Sequence, residues 1–282
     1  MTAEPRRPLM SAVELLRRSG DPRLRIADVR WYLGESERGR TEFEHGHIPG
    51  AVFVDLDADL AAPVGPGRHP LPDPTAFARH MGEIGLGDEH AIVAYDASGG
   101  TVAARLWWML DRLGHRDVSL LDGGLGAWIA VGGELTTASA AYPTTTLTAA
   151  REWSGIVDRE ALVDGAGAFD LVDVRAAERY RGETEPVDRV PGHIPGARNH
   201  PATSLLDESG RLRAPGELRT LLEAPDRIGG QLVMTCGSGV TACLGIVAAR
   251  VAGLADPLLY PGSYSDWSAA SLPVATGSER GA

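Results

Sequence analysis

Short apolar runs alternate along the chain with longer stretches of helical periodicity. The runs AIVAYD (91–96) and QLVMTC (231–236) are six residues long, a length typical of buried strands. A glycine-rich turn follows each run, and stretches of helical pattern come next, at 101–114 and 240–255. This alternation predicts an α/β fold, in which a mainly parallel sheet is flanked by helices.

One uncharged segment, 228–249, is long enough to span a bilayer. It contains five glycines and several hydroxyl or amide side chains, which are costly in lipid or weaken a helix. We therefore interpret it as a buried strand, a glycine loop and a buried helix. The first 20 residues lack the apolar core of a signal peptide, and we expect no association with a membrane.

Four sequence blocks occur twice in the same order. Each returns 139 to 146 residues later: IADVR as LVDVR, HGHIPGA as PGHIPGA, the 91–107 block as 231–247, and SLLDGGLGAW as LLYPGSYSDW. Constant order and nearly constant offset indicate a duplicated domain. The Thr/Ala-rich stretch 136–150 resembles a linker. The sequence predicts an N-terminal domain at 1–138, a linker at 139–152 and a C-terminal domain at 153–282.

Composition narrows the function. The 282 residues are 43% hydrophobic and 23% charged, as in ordinary globular proteins. A net charge of −11 argues against nucleic acid or an anionic membrane as partner. Two cysteines provide no disulfide framework, and free thiols suit a reducing compartment, so a cytoplasmic location is expected.

The duplication separates structural from functional candidates, because residues shared by both halves are expected to serve the fold. His47 and His193 occupy matching turns, so packing is their expected role. The loops at the ends of the two apolar runs differ: one begins with Asp96 and the other with Cys236. A cysteine where a loop opens a helix meets backbone N–H groups and the positive end of the helix dipole. Cys236 is therefore the predicted nucleophile.

Cys243 lies seven residues further, inside the apolar helical stretch. A core position is the expected role of this side chain, with a resolving thiol as the alternative.

These features resemble the tandem rhodanese-domain sulfurtransferases over almost the whole chain. The loop CGSGVTAC (236–243) is similar to the active-site loop of 3-mercaptopyruvate sulfurtransferases. The resemblance implies two tandem rhodanese-like domains, of which the first is catalytically silent because Asp96 replaces the cysteine. It also implies sulfur transfer from 3-mercaptopyruvate through a Cys236 persulfide to a thiol, a thioredoxin-like protein or cyanide. Neither a metal nor an organic cofactor is expected, and the protein is expected to be a monomer.

The resemblance also assigns donor-binding residues. The segment RYRGETEPVDR (179–189) resembles the family segment whose first and last arginines bind the donor, which maps to Arg179 and Arg189. A guanidinium fork suits the single carboxylate of mercaptopyruvate. The loop residues expected to bind the donor are Gly237, Gly239, Val240 and Thr241.

The family further uses a serine, a histidine and an aspartate drawn from both domains. Ser238 is the loop serine, and VFVDLDADL…GRHPLPDP resembles the family segment that supplies the other two. These map to His69 and Asp57. Such a set could relay the proton that the departing pyruvate enolate needs.

Three rival functions remain open at this stage. A thiosulfate sulfurtransferase shares the fold and nucleophile, but its dianionic donor prefers cations in the loop, and Gly237-Ser238-Gly239 has none. A cysteine phosphatase needs an arginine six residues after the cysteine, where this chain has Ala242. A non-enzymatic sulfur carrier would form the persulfide without turnover.

Overall fold

The computed structural model describes residues 7–165, 167–223 and 230–281, and the chain divides into two compact units. Unit 1 comprises Met1–Ala61, Pro72–Ser154 and Glu208–Leu212, and unit 2 comprises Ala62–Leu71, Gly155–Asp207 and Arg213–Ala282. The predicted domains are continuous, whereas each unit includes a short segment from the other half of the sequence. Residues 139–152, the predicted linker, form no helix or strand.

Unit 1 is built on a parallel sheet whose described strands lie in the order β1-β5-β4-β2-β3. The strands are β1 Leu9–Met10, β2 Leu24–Asp28, β3 Ala51–Phe53, β4 Ala91–Tyr95 and β5 Val118–Leu121. The helices are α1 Ala12–Arg17, α2 Arg38–His45, α3 Leu56–Asp59, α4 Pro74–Glu83, α5 Ala103–Arg112 and α6 Gly124–Ala130. Every residue of β2 and β4 is buried, as expected for central parallel strands covered on both faces.

Unit 2 repeats this plan with a parallel sheet in the order β7-β6-β8-β9. Its strands are β6 Phe169–Asp173, β7 Arg198–Asn199, β8 Gln231–Thr235 and β9 Leu258–Leu259. Its helices are α7 Arg159–Asp164, α8 Ala177–Tyr180, α9 Pro215–Leu222, α10 Ala242–Val251 and α11 Ser263–Ala269, with a 3₁₀ turn at Ala202–Leu205. The fold class is therefore the predicted one, two α/β domains with parallel sheets.

The long uncharged segment is divided as expected. Residues 228 and 229 lie outside the described residues, and the rest forms β8, a loop and most of α10. None of the described helices is long and apolar enough to cross a membrane.

The repeated histidines pack inside their own units, which confirms their structural role. His47 stacks on Phe43 with ring centroids 3.8 Å apart, and His193 stacks on Tyr180 at 3.7 Å. Each histidine Nδ1 also hydrogen-bonds the backbone oxygen of its stacking partner, at 2.7 and 2.8 Å. Both rings are fully buried.

Candidate active site

Cys236 follows the last residue of β8, at the carboxyl edge of the unit 2 sheet. Ligands of parallel α/β sheets bind beyond this edge. The Cys236 N–H donates to Ser263 Oγ at 3.1 Å, and the Cys236 carbonyl accepts from Tyr264 N at 3.0 Å. Its side chain is buried. The start of α11 therefore holds both the N–H and the carbonyl group of Cys236.

The loop after Cys236 is tight because it passes close to other backbone. Gly239 has φ +75°, and a Cβ placed there would lie 2.3 Å from the Pro261 carbonyl oxygen. Helix α10 begins at Ala242. Among the described residues, the N–H groups of Ser238, Val240 and Ala242 have no hydrogen-bond acceptor. Unpaired N–H groups at the positive end of a helix favour a negatively charged group.

The equivalent loop of unit 1 shows what such a set of donors binds. The carboxylate of Asp96 takes the place of the cysteine, and its oxygens accept from the N–H groups of Ser98, Gly100, Val102 and Ala103, at 2.8 to 2.9 Å. Asp96 is almost completely buried. In unit 1, the carboxylate of the chain's own Asp96 thus provides the acceptors for these loop N–H groups.

His69 and Ser238 meet inside unit 2, as the resemblance implies. The distance from His69 Nδ1 to Ser238 Oγ is 2.7 Å, and both side chains are buried. The neighbouring residue, Gly67, has φ +79°, and a Cβ there would lie 2.5 Å from the Gly262 carbonyl oxygen. Both the backbone conformation and the close approach favour glycine. Gly67 thus allows the segment to lie against the start of α11, which places His69 on the loop.

Asp57 lies in α3 of unit 1, where its Oδ2 accepts from Trp31 Nε1 at 2.8 Å. Its predicted participation with His69 stays a prediction.

Arg179 lies beside the loop that follows Cys236. Its two terminal nitrogens would be 3.7 and 3.9 Å from a Cβ placed on Gly237. The same guanidinium donates to Glu185 Oε1 at 2.7 Å and to Asp188 Oδ2 at 3.2 Å. The predicted donor arginine is therefore positioned at the loop and held by two carboxylates.

Sequence reasoning missed Arg68, which is closer to the loop than Arg179. Its Nη2 would be 2.8 Å from a Cβ on Gly237, and its Nη1 donates to Asp188. The loop itself has no cation, but another segment of unit 2 brings one to it. Only proximity to His69 in the sequence could have drawn attention to Arg68.

Arg189 is exposed and has no ion pair among the residues that the structure describes. Together with Arg68 and Asp188 it lines a cavity of about 710 Å³. Its predicted role as a donor ligand stays a prediction.

The two carboxylates that hold these arginines have opposite pKa shifts. Burial raises the pKa of Asp188 above its usual range, and Arg68 and Arg179 offset only part of this effect. Burial also acts on Glu185, but N–H groups of Asp188 and Val187 and the Arg179 guanidinium outweigh it and lower its pKa. The chain therefore favours the charged form of Glu185 and penalises that of Asp188.

The remaining residues of the loop and of the start of α10 are buried or half-buried. Val240 is buried and Thr241 is half-buried before α10. Cys243 is fully buried, with its Sγ 3.4 Å from the Gly239 carbonyl oxygen, which confirms its core position. Neither cysteine forms a disulfide.

Comparison with known proteins agrees with this geometry. The rhodanese-like domain family matches the chain twice, over residues 11–131 and 159–270. A Pseudomonas aeruginosa protein named probable 3-mercaptopyruvate sulfurtransferase is 42% identical over 278 residues, covering 95% of this chain and 98% of that protein. The human 3-mercaptopyruvate sulfurtransferase is 39% identical over 280 residues, covering 95% and 94%. A Cricetulus griseus thiosulfate sulfurtransferase is 35% identical over 260 residues, covering 89% and 87%.

A solved structure is similar over the same length. The crystal structure of SseA from Escherichia coli, described as a 3-mercaptopyruvate sulfotransferase with the rhodanese fold, superposes with a TM-score of 0.81. The two sequences are 32% identical, and the match covers 92% of this chain and 99% of that one. The chain belongs to the rhodanese family of sulfurtransferases, and it carries two rhodanese-like domains.

Proposed function

We propose that this chain transfers sulfur from 3-mercaptopyruvate, through a persulfide on Cys236, to a thiol acceptor or cyanide, and releases pyruvate. The observation that carries the proposal is the Ser238–His69 contact of 2.7 Å next to the cysteine. Mercaptopyruvate needs a proton relay at this place, whereas thiosulfate does not.

In the first step, the Cys236 thiolate attacks the donor sulfur. The carbon–sulfur bond breaks, and its electron pair passes to the pyruvate enolate. Ser238 and His69 take the thiol proton of the donor and return it to the enolate carbon, which gives pyruvate. Cys236 keeps the sulfur as a persulfide, and an acceptor thiolate later removes the outer sulfur. Neither step needs a cofactor.

The loop N–H groups would stabilise the persulfide. The corresponding groups of unit 1 bind the Asp96 carboxylate, so the same backbone arrangement suits a single negative charge. The outer sulfur of a Cys236 persulfide is such a group. Gly237, Gly239, Val240 and Thr241 act here through their backbone.

The donor carboxylate would bind Arg179, whose guanidinium already lies at the loop. Arg189, exposed on the adjoining cavity, would add positive charge at its entrance. Asp57 would orient His69, as the resemblance implies.

Thiosulfate is the second candidate donor, because Arg68 places an additional cation beside Gly237. Against it, Asp188 and Glu185 offset the charges of Arg68 and Arg179. A neutral set of side chains suits a monoanion better than a dianion.

The acceptor and cellular setting are proposed from chemistry alone. A thioredoxin-like protein or a small thiol can attack a persulfide, and two cysteines that form no disulfide suit the cytoplasm. A monomer is proposed because the family site is completed within one chain.

We expect Cys236→Ser to abolish sulfur transfer and Cys243→Ser, the matched control, to retain most of it. The reason is that only Cys236 lies at the strand end with the loop N–H groups, whereas Cys243 is buried in α10. Intact mass after exposure to mercaptopyruvate should show one added sulfur on the wild type and on Cys243→Ser, but none on Cys236→Ser. Transfer that survives in Cys236→Ser contradicts the mechanism.

The donor itself is tested by comparing kcat/KM of the wild type for mercaptopyruvate and thiosulfate. We expect mercaptopyruvate to be preferred. Equal or faster turnover of thiosulfate would select the second candidate.

A further inference from the structure

We propose that Arg68 is the second donor-binding arginine of this site, in the role that the resemblance gives to Arg189, and that Asp188 limits the site to monoanionic donors. This inference rests on the proposed function.

The backbone of Arg68 is fixed to the catalytic loop. The Arg68 N–H donates to Ser265 Oγ at 3.0 Å, and the Ser265 N–H donates to the Gly237 carbonyl oxygen at 2.9 Å. One serine therefore joins the arginine to the residue that follows the nucleophile. The next residue, His69, contacts Ser238. Arg68 and His69 are therefore both fixed to this loop, one through Ser265 and the other through Ser238.

The guanidinium of Arg68 points to the loop and retains hydrogen-bonding capacity. Its Nη2 lies nearest to Gly237, and its Nη1 is used by Asp188. Its Nε is buried and has no hydrogen-bond partner among the described residues. A buried N–H without an acceptor is unfavourable, and an anionic ligand would remove that penalty.

Arg179 forms the other side of this arrangement. Both arginines lie within 4 Å of the same Cβ position on Gly237, and Asp188 accepts from both. Two guanidinium groups that share one carboxylate still have N–H groups that can donate to the carboxylate of the sulfur donor. Arg189, by contrast, is exposed and lacks an ion pair among the described residues.

The charges around the loop form an alternating series. Asp173 pairs with Arg175, and Glu185 pairs with both Arg175 and Arg179. Asp188 pairs with Arg179 and Arg68. Three positive and three negative charges cancel among these described residues. A donor with one carboxylate adds a single charge, whereas thiosulfate adds two. Removal of the Asp188 charge would leave an excess positive charge that favours the dianion.

The first test compares Arg68→Gln with Arg181→Gln, the matched control. Arg181 belongs to the same unit and pairs with Glu183 at the surface. Loss of one charged hydrogen bond predicts that Arg68→Gln lowers kcat/KM for mercaptopyruvate about tenfold to a hundredfold, mainly through KM. Arg68→Lys should recover part of the loss, and Arg181→Gln should match the wild type. Equal kcat/KM in Arg68→Gln and Arg181→Gln would overturn the assignment.

The competing assignment is tested by Arg189→Gln. A larger loss there than in Arg68→Gln returns the role to Arg189 and overturns the proposal. Binding of pyruvate, followed by titration calorimetry, should weaken in Arg68→Gln and so report the carboxylate site without turnover. If wild-type enzyme uses only thiosulfate, the proposed function fails. The Arg68 assignment is then judged separately, by thiosulfate turnover in the same variants.

The role of Asp188 is tested by Asp188→Asn. We expect the ratio of kcat/KM for thiosulfate to that for mercaptopyruvate to rise severalfold, because one negative charge is removed beside the loop. An unchanged or lower ratio would overturn this part of the proposal. Melting temperatures of all variants separate a loss of donor binding from a loss of folding.

Discussion

At the scale of single residues, buried carboxylates organise the arginines of the site. Glu185 is almost fully buried and accepts from Arg179 and Arg175, with two backbone N–H groups on one of its oxygens. Such a carboxylate is more stable charged in the folded chain than in the unfolded one, so its pKa is lowered on folding.

This shift predicts a pH-dependent effect of Glu185→Gln. A lowered folded pKa contributes stability that is present above the ordinary value of 4.5 and lost as pH falls through the folded value. At pH 7 the variant should be less stable by roughly 1.5–3 kcal/mol. The difference in urea-unfolding free energy should shrink below pH 4.5. A difference that stays constant with pH contradicts the assigned cause. Glu183→Gln, at the surface, is the control and should show little effect at any pH.

At the scale of elements, the residue at the start of α11 that binds the Cys236 backbone is itself in a strained conformation. Ser263 has φ +51°, a region that favours glycine, and its Oγ accepts from the Cys236 N–H while donating to the Tyr260 carbonyl. Unit 1 has a glycine at the matching position, Gly124, with φ +57°. Unit 2 thus keeps a side chain that fixes the cysteine, at the expense of backbone strain.

The strain predicts that Ser263→Ala is less stable than Ser263→Gly by about 1 kcal/mol, because only glycine relieves the left-handed backbone. Both variants lose the hydrogen bond to Cys236, so both should lower kcat. Urea unfolding and kinetics separate the two effects. Ser271→Gly, at another residue with positive φ (+55°), relieves strain without touching the Cys236 backbone and should leave kcat unchanged. Equal stability of the two Ser263 variants would contradict the strain.

At the scale of the whole molecule, residues far apart in the chain complete the site. His69 and Ser238 are separated by 169 residues, and Arg68 and Asp188 by 120. The segment Ala62–Leu71, which carries both His69 and Arg68, belongs to unit 2 although it comes from the first half of the sequence. The C-terminal half of the sequence therefore lacks part of its own site.

We expect His69→Ala and Ser238→Ala to lower kcat/KM for mercaptopyruvate at least about tenfold, since general acid–base help is commonly worth ~10²–10⁴-fold. The same variants should lose little with thiosulfate, because sulfite leaves as a stable anion. Asp57→Asn should follow His69→Ala if it orients the ring. His45→Ala, an exposed histidine bonded to the Thr41 carbonyl, serves as control. An equal fall with both donors would indicate a structural role instead.

The sequence by itself determined the features that depend on nearby residues. Apolar runs and glycine turns predicted β4, β8 and the helices after them, and the difference between the repeats predicted Cys236 as the nucleophile. The predicted strands and helices are confirmed because strand burial and helix starts depend on residues close together in the chain. The role of Cys236 as nucleophile stays a prediction. The resemblance added Ser238, His69 and Arg179, and the structure brings all three to the loop.

Only the tertiary structure decided which distant cations reach that loop. Arg68 has no local pattern that marks it, and Arg189 ends the segment that resembles the family's donor-binding segment yet lies exposed. The difference comes from the chain path: Gly67 and Ser265 direct the segment Ala62–Leu71 against α11, and Asp188 rather than Arg189 faces the two arginines. Ion pairs between residues more than 100 positions apart depend on that path, which hydrophobic periodicity does not encode.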